Sequence, residues 1–285
     1  MTTTIPSLIL PPEIILIIAE CLGHDVKSIS NLYKVNKSTR QILCSRLYQS
    51  VHLRSVNGIV SLCHILTNSR PDELKNIRSL QIGLNHSAAY KIQSNLICLL
   101  RSALEAMPHL SSLSLVITSG ALDNLVELLD PPFQLTEFVH CGELSPPLAR
   151  FLEKQPSIVK LGWHSIFLEE KRDYLFTLLD GGEKLLPVLT ELAGPMPLLS
   201  ALIPRRPITK IQVMYHILSF LRFENSIAGF LRPMGCLSSV CITEYRPTWQ
   251  SFTALISKLE ATCVRNTLKE LHIIEAFTVR FIVDN

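Results

Sequence analysis

The segment Leu110-Ser111-Ser112-Leu113-Ser114-Leu115 places leucine at its first, fourth and sixth positions. The last two leucines are two residues apart, which is the spacing of side chains on one face of a β-strand. The segment therefore predicts a short strand with an apolar inner face. The same pattern recurs along the chain, with His140 and Gly194 at the sixth position of two copies. The nine copies begin at Tyr48, Ile77, Leu110, Leu135, Ile158, Leu189, Ile208, Leu237 and Leu268.

Stretches with helical periodicity lie between these predicted strands, at 94–106, 147–154, 168–179 and 249–261. From Ile77 onward the copies begin 19 to 33 residues apart. Short strands that alternate with helices at this interval resemble leucine-rich repeats, in which the strands are parallel. The resemblance is to an irregular solenoid, because the asparagine usual in such repeats occurs clearly only at Asn85.

Two features limit this interpretation. A doubly wound α/β domain also alternates strands and helices, although the chain has only 11 glycines and no glycine-rich phosphate turn. The stretch 187–207 contains five prolines, and Pro195 and Pro197 would block hydrogen bonds in a sheet. We therefore predict an irregular loop there, between two halves of the repeat region.

The first 50 residues predict three helices. Pro11-Pro12-Glu13 is typical of a helix start, and the apolar run that follows extends to Leu22 before Gly23. The second helix is predicted over 26–33, and the third over 37–48 with Asn36 as its N-cap. The first helix is apolar on almost every side, so the rest of the chain or another protein must cover it; we favour another protein.

These residues resemble an F-box over about residues 8 to 50. Thr39 stands where that family often has tryptophan, and Asn36-Lys37 where it often has Cys-Arg. The chain is therefore similar to fungal-type F-box proteins with degenerate leucine-rich repeats. Its predicted fold is α/β, with a three-helix F-box at 1–50 and an irregular leucine-rich-repeat solenoid at 51–285. The matching residues are Leu10-Pro11-Pro12-Glu13-Ile14, Ile18, Leu22, Val26, Ile29, Leu32, Val35, Arg40, Leu43, Leu47 and Tyr48.

The resemblance implies docking to a Skp-type adaptor and, through it, to a cullin-RING (SCF) ubiquitin ligase. The chain would then be a non-catalytic substrate-recognition subunit in ubiquitin-dependent protein degradation. The alternatives are a protein-interaction scaffold whose degenerate F-box has no ligase role, an ordinary helical cap with no partner, and an α/β enzyme without a recognisable motif. The implied adaptor contacts are Leu10, Pro11, Ile14, Ile18, Leu22, Leu32 and Val35.

A target protein would bind the face of the strands that points away from the core. This face is mixed in charge and modest in side-chain size, which suits a protein ligand better than a cofactor, because a cofactor needs an enclosed apolar pocket. The same positions are also consistent with simple solvated strand residues. The predicted target-binding residues are Ser79, Gln81, Ser112, Ser114, Glu137, Lys160, His164, Lys210, Gln212, Glu270 and His272, with Val139 among them.

Composition excludes several other classes of protein. The chain has 285 residues, of which 47% are hydrophobic and 18% charged, and a net charge of only +3. We expect no nucleic-acid partner and interpret Arg205-Arg206 as part of a solvated loop. No stretch has the roughly 20 apolar residues of a membrane span, and no secretory signal is evident, so a cytoplasmic or nuclear protein is expected.

The sequence also predicts no catalytic, metal or cofactor site. No nucleotide-binding, hydrolase or zinc-protease motif is present, and the cysteines include no Cys-x-x-Cys pair. We expect reduced structural cysteines, with Cys98 buried in its apolar run. Solenoids need a polar capping unit, yet the last ten residues are largely apolar. Either they form an exposed final strand or the chain continues in a longer product, which we favour.

Overall fold

The computed structural model describes residues 10–22, 25–68, 75–84, 94–142, 145–164, 185–203, 206–214, 237–244 and 268–275. The helices of this part are α1 (Pro12–Cys21), α2 (Val26–Tyr33), α3 (Lys37–Leu47), α4 (Val56–Asn68), α5 (Ser94–Glu105), α6 (Ser119–Glu127), α7 (Pro146–Glu153) and α8 (Met196–Leu202). Its strands are β1 (Ser50–Leu53), β2 (Ser79–Gly83), β3 (Ser112–Val116), β4 (Glu137–Cys141), β5 (Lys160–His164), β6 (Glu191–Gly194), β7 (Lys210–Met214), β8 (Ser239–Glu244) and β9 (Glu270–Glu275).

The strands form one nine-stranded sheet in which every strand is parallel to its neighbours and follows them in chain order. Each apolar pattern of the sequence supplies one strand. The α/β class with short parallel strands is confirmed. The sequential order differs from that of a doubly wound sheet, in which the strand order reverses. The fourth positions of the nine patterns align in one row across the sheet: Val51, Leu80, Leu113, Phe138, Leu161, Leu192, Ile211, Val240 and Leu271.

One face of the sheet packs with helices around a continuous apolar core. The alternation of buried and half-buried residues along β3 and β4 has the period of two that the sequence predicts. Helices α4, α5, α6 and α7 each contact the next, so they line this face side by side. The largest fully buried side chains are Trp163, Phe133, Phe138 and Phe151.

Hydroxyl groups link neighbouring strands at the start of the sheet. The hydroxyl of Ser111 donates to the carbonyl oxygen of Arg78 at 3.1 Å, and the backbone N–H groups of Ser111 and Ser112 donate to that same oxygen. We call this repeated arrangement the hydroxyl ladder. It connects adjacent units by side chains immediately before their strands. Its donors are Ser111, Thr136, Thr190, Thr209 and Ser238, at 3.1 to 3.4 Å from their acceptors.

Gln155 fixes the turn before β4 from inside the core. Its Oε1 accepts a hydrogen bond from the N–H of Leu135 at 2.7 Å, and its Nε2 donates to the carbonyl of Phe133 at 3.3 Å. The side chain is fully buried, so these bonds satisfy groups that water cannot reach. A polar residue just after a helix gave no hint of this role in the sequence.

The prediction of a loop at 187–207 is wrong, because β6 and α8 lie within it. Pro195 is the N-cap residue of α8 and Pro197 lies in its first turn. The N–H groups of a first turn have no acceptor within the helix, so a proline there costs no hydrogen bond. The prolines thus start a helix rather than interrupt a sheet. Gly194 is the last residue of β6, and a Cβ at this position would lie only 2.9 Å from Cδ2 of Leu198, so a larger residue would not fit without a shift.

Two predictions about single side chains are also wrong. Arg206 is half-buried, and its guanidinium donates to the carbonyls of Leu185 at 2.9 Å and Leu202 at 2.7 Å. It therefore ties the end of α8 to the preceding segment instead of lying in a solvated loop. Cys98 is exposed because it lies on the outer side of α5. Arg205 and Asn85, the predicted helices 168–179 and 249–261 and the C-terminal residues 276–285 lie outside the described residues.

The predicted N-terminal helices are present, and they have a small core of their own. This core consists of Ile15, Ala19 and Leu43, with Leu32, Tyr33 and Ile42 packed against it. Asn36 caps α3 as predicted, since its side-chain oxygen accepts the N–H of Thr39 at 2.7 Å. Asp25 caps α2 by accepting the N–H groups of Lys27 and Ser28, and hydrogen bonds from Ser28 lower the pKa of its carboxyl.

Candidate functional site

Helix α1 has a buried side and an exposed apolar side. Ile15 and Ala19 face the small core, whereas Ile14 is 42% exposed and Ile17 is 53% exposed. Ile17 lies about 60° around the helix from Ile14, so the two side chains share one surface. Burying a fully exposed isoleucine contributes roughly 1.5–3 kcal/mol, and Ile14 and Ile17, which are about half exposed, forgo a corresponding part of it.

The predicted adaptor contacts fall into two groups. Leu10, Pro11, Ile14 and Val35 are exposed, while Ile18, Leu22 and Leu32 are half-buried. Leu32 packs against the small core, so its side chain already has a structural role. Ile17 is not among the predicted contacts, because a helix that is apolar on almost every side does not show in the sequence which side stays exposed.

The turn between α2 and α3 presents Val35, which is 66% exposed. The N–H of Val35 donates to the carbonyl of Leu32 at 3.1 Å, which closes the turn. The guanidinium of Arg40 lies 5.3 Å from the centre of the Tyr33 ring, a cation–π distance that links α3 to α2. Thr39, which stands where F-boxes often have tryptophan, is buried.

The second candidate surface is the outward face of the sheet, opposite the helices. The strand register places the predicted target-binding residues in rows that cross the strands. The first row is Ser79, Ser112, Glu137, Lys160, Glu191, Lys210, Ser239 and Glu270. The second row is Gln81, Ser114, Val139, Gly162, Ala193, Gln212, Cys241 and His272, and His164 lies in a third row opposite Cys141.

Charges alternate along the first row from β4 to β7. Lys160 Nζ lies 2.7 Å from Glu137 Oε1, and Lys210 Nζ lies 2.8 Å from Glu191 Oε1. The hydrogen bond and charge of Glu191 raise the pKa of Lys210, with a smaller contribution from Glu270. Glu191 was missed in the sequence because it lies in the proline-rich stretch predicted as a loop. Counting outward positions there would have found it.

Behind this face, His140 occupies a core position. Its ring stacks on Phe138 with centroids 5.4 Å apart and lies 4.1 Å from the ring centroid of Trp163. Burial, with a smaller effect from His164, lowers its pKa to about 3, so the imidazole is neutral at pH 7. Neither ring nitrogen has a hydrogen-bond partner within the described residues. The imidazole therefore packs in the core as a neutral ring between Phe138 and Trp163.

The described residues contain no group of three or more His, Cys, Asp or Glu side chains that could hold a metal ion. Within the described residues, no disulfide joins Cys21, Cys63, Cys98, Cys141 or Cys241. Burial raises the pKa of the Cys63 thiol to about 11. Among the described helices, none is both long enough and apolar enough to cross a membrane.

Comparison with protein-family models and with curated protein sequences finds no match to this chain.

Proposed function

We propose that the chain is a non-catalytic substrate-recognition subunit of an SCF-type cullin-RING ubiquitin ligase. The observation that carries this proposal is the apolar side of α1, where Ile14 and Ile17 are exposed although Ile15 and Ala19 are buried. An exposed apolar helix surface favours docking to another protein. The resemblance of residues 8 to 50 to an F-box names that protein as a Skp-type adaptor.

The sheet region supports the second half of the proposal. Its nine parallel strands follow one another in chain order and align their apolar positions, as leucine-rich repeats do. The outward face carries side chains of both charges, with Glu137, Lys160, Glu191 and Lys210 in consecutive strands. We propose that this face binds the target protein. Holding the target near the conjugating enzyme raises the local concentration of its lysines, which is the mechanism of the ligase.

A scaffold without a ligase role is the second candidate. The observation in its favour is that Ile18, Leu22 and Leu32 are half-buried, so part of the predicted docking set is already covered by the chain itself. The two candidates differ in one respect that can be measured, which is whether the exposed side of α1 binds the adaptor.

Co-expression of the full chain with a Skp-type adaptor, followed by pull-down, tests the proposal. We expect wild type to bind stoichiometrically and Ile14→Asp/Ile17→Asp to lose binding, because two carboxylates would enter an apolar interface. Leu16→Asp is the matched control. Leu16 is 40% exposed on the same helix but lies about 160° around it from Ile14.

Circular dichroism on each variant separates lost docking from lost folding. If wild type is folded and does not bind the adaptor, the ligase proposal is wrong and the scaffold takes its place. If Leu16→Asp abolishes binding as completely as the double variant, the docking surface is not the side of α1 that we assign.

A further inference from the structure

The first row of the outward face has an order of charges that is complementary to its own reverse. The row crosses β2 to β9, and its midpoint lies between Lys160 of β5 and Glu191 of β6. Lys160 and Glu191 are equally far from this midpoint and opposite in charge, and the same is true of Glu137 and Lys210. The outer equivalent positions also carry no like charges: Ser112 with Ser239, and Ser79 with Glu270.

These charges are paired within the chain and remain accessible to another molecule. Lys160 pairs with Glu137 and Lys210 with Glu191, yet more than half of each lysine side chain and about a third of each glutamate are exposed. An ammonium group has three donors, so each lysine can bind a second carboxylate. The four charges sum to zero, so the row does not favour a ligand of one sign. It favours a surface whose charges alternate at the spacing of neighbouring strands, about 4.8 Å.

A second copy of this chain presents that pattern. Let two copies face each other across a two-fold axis that is parallel to the strands and passes between β5 and β6. The axis reverses the strand order and keeps the position along each strand, so each row faces the same row of the other copy. Lys160 then faces Glu191 of the second copy and Glu137 faces its Lys210, and each contact occurs twice. An axis along the row would instead place each charge opposite itself.

The second row allows the two sheets to approach each other. The same axis places Gly162 opposite Ala193 and Val139 opposite Gln212, so no bulky side chain separates the sheets near the axis. Eight strands and the outward positions along them offer about 34 Å by 13 Å, which buries about 900 Å² in total on the two copies. This area is below the roughly 1,200 Å² of stable complexes, which indicates a weak, reversible contact.

We propose that the outward face of the sheet binds a second copy of this chain in this two-fold arrangement. The dimer does not rest on the ligase proposal, because α1 is not part of the face. It has one consequence that does rest on the proposed function: a target that binds the same face must compete with the second copy. Self-association would then reduce target binding as the concentration of the chain rises.

Sedimentation velocity of the full chain, from about 1 μM to 0.1 mM, provides the test; we expect a dimer with a micromolar Kd that weakens with salt. Lys160→Glu places two glutamates opposite each other at both symmetric contacts, so it should raise Kd at least about ten-fold. Lys160→Glu/Glu191→Lys restores opposite charges across the axis but leaves like charges adjacent within each copy. It should return Kd to within about three-fold of wild type. If the charges acted only within the chain, the double variant would be the worse of the two.

Lys154→Glu is the matched control, because it makes the same charge change and also breaks an ion pair within the chain, with Asp130 at the end of α7. It should leave Kd unchanged, and an equal loss would mean that net charge, not the row, governs association. Loss of the dimer in Ile14→Asp/Ile17→Asp would place the contact on α1 and overturn the inference. So would a folded wild type that stays monomeric at about 0.1 mM, or a double variant that does not restore the dimer. None of these outcomes changes the result of the adaptor pull-down.

Discussion

The sheet region buries its apolar residues in one continuous core, whereas the N-terminal helices leave several of theirs exposed. In the sheet region, residues from Ile59 to Val240 belong to one continuous core. In the N-terminal helices, the core cluster has Ile15, Ala19 and Leu43 as its fully buried members. Five of the nine large apolar side chains that are exposed in the described residues belong to the N-terminal part, which is much the shorter: Leu10, Ile14, Leu16, Ile17 and Val35.

The difference reflects geometry. Each strand of a parallel sheet adds an apolar row that the next unit extends, so the core grows with the number of units. Three short helices can bury only one apolar stripe each, and α1 carries more than one. An apolar surplus in such a small unit is therefore available to a partner, whereas the same residues in the sheet region would be internal.

The largest difference in stability is expected between two truncations, one of a buried side chain in the sheet region and one of an exposed side chain in α1. Phe138 is completely buried and contacts the rings of His140 and Phe151. Phe138→Ala should lower the free energy of unfolding by about 3–5 kcal/mol. Ile17→Ala should change it by much less, about 0.5 kcal/mol, because more than half of the side chain is already exposed to solvent. Urea unfolding followed by circular dichroism measures both. Equal losses would show that the chain itself covers this side of α1, so that the two regions do not differ in how they bury apolar residues.

A smaller effect, which depends on pH, is expected from His140. Its pKa is about 3 in the folded chain against an ordinary value of 6.5, so the unfolded chain binds the extra proton more readily. Stability should therefore fall as pH drops from 6.5 toward 3, by at most about 1.4 kcal/mol per pH unit from this residue. His140→Leu should remove this contribution.

Denaturant unfolding of wild type and His140→Leu between pH 4 and 7 provides the comparison. The other titrating groups are the same in both proteins, so the difference between the two curves isolates the histidine. Parallel curves across this range would mean that the imidazole is not buried in the core as the structure has it.

The smallest effect concerns the hydroxyl ladder. Val159 precedes β5 and its N–H donates to the carbonyl of Thr136 at 2.8 Å, but its side chain has no hydroxyl to join that contact. Val159→Thr should add the missing bond and raise the free energy of unfolding by about 0.5 kcal/mol. Thr136→Val should lower it by a similar amount. If the two near-isosteric changes alter the free energy of unfolding in opposite directions, then side-chain hydrogen bonds, and not only the core, stabilise the contact between units.

The sequence predicted the repeating elements well because periodicity is a local property. Eight of the nine apolar patterns predicted strands that the structure contains, and the ninth, at Leu189, forms a strand although a loop was predicted over it. The outward positions of the patterns fall in rows on one face of the sheet. The prediction at 187–207 was wrong because the prolines were taken to prevent sheet formation. In the structure, Pro195 and Pro197 lie at the start of α8, after β6 has ended. Ile17 was missed because exposure depends on what α3 covers, and a helix that is apolar all round does not show which side is covered.

By itself, the sequence determined the α/β class, the bounds of the N-terminal helices and the alternation of inner and outer residues, because each depends on spacing within about a dozen positions. Only the tertiary structure showed the sequential strand order, the roles of Gln155 and Arg206, the hydroxyl ladder and the pairing of Lys160 with Glu137 and of Lys210 with Glu191. These features join residues about 20 or more positions apart. Their partners are set by how units stack, which local spacing does not encode.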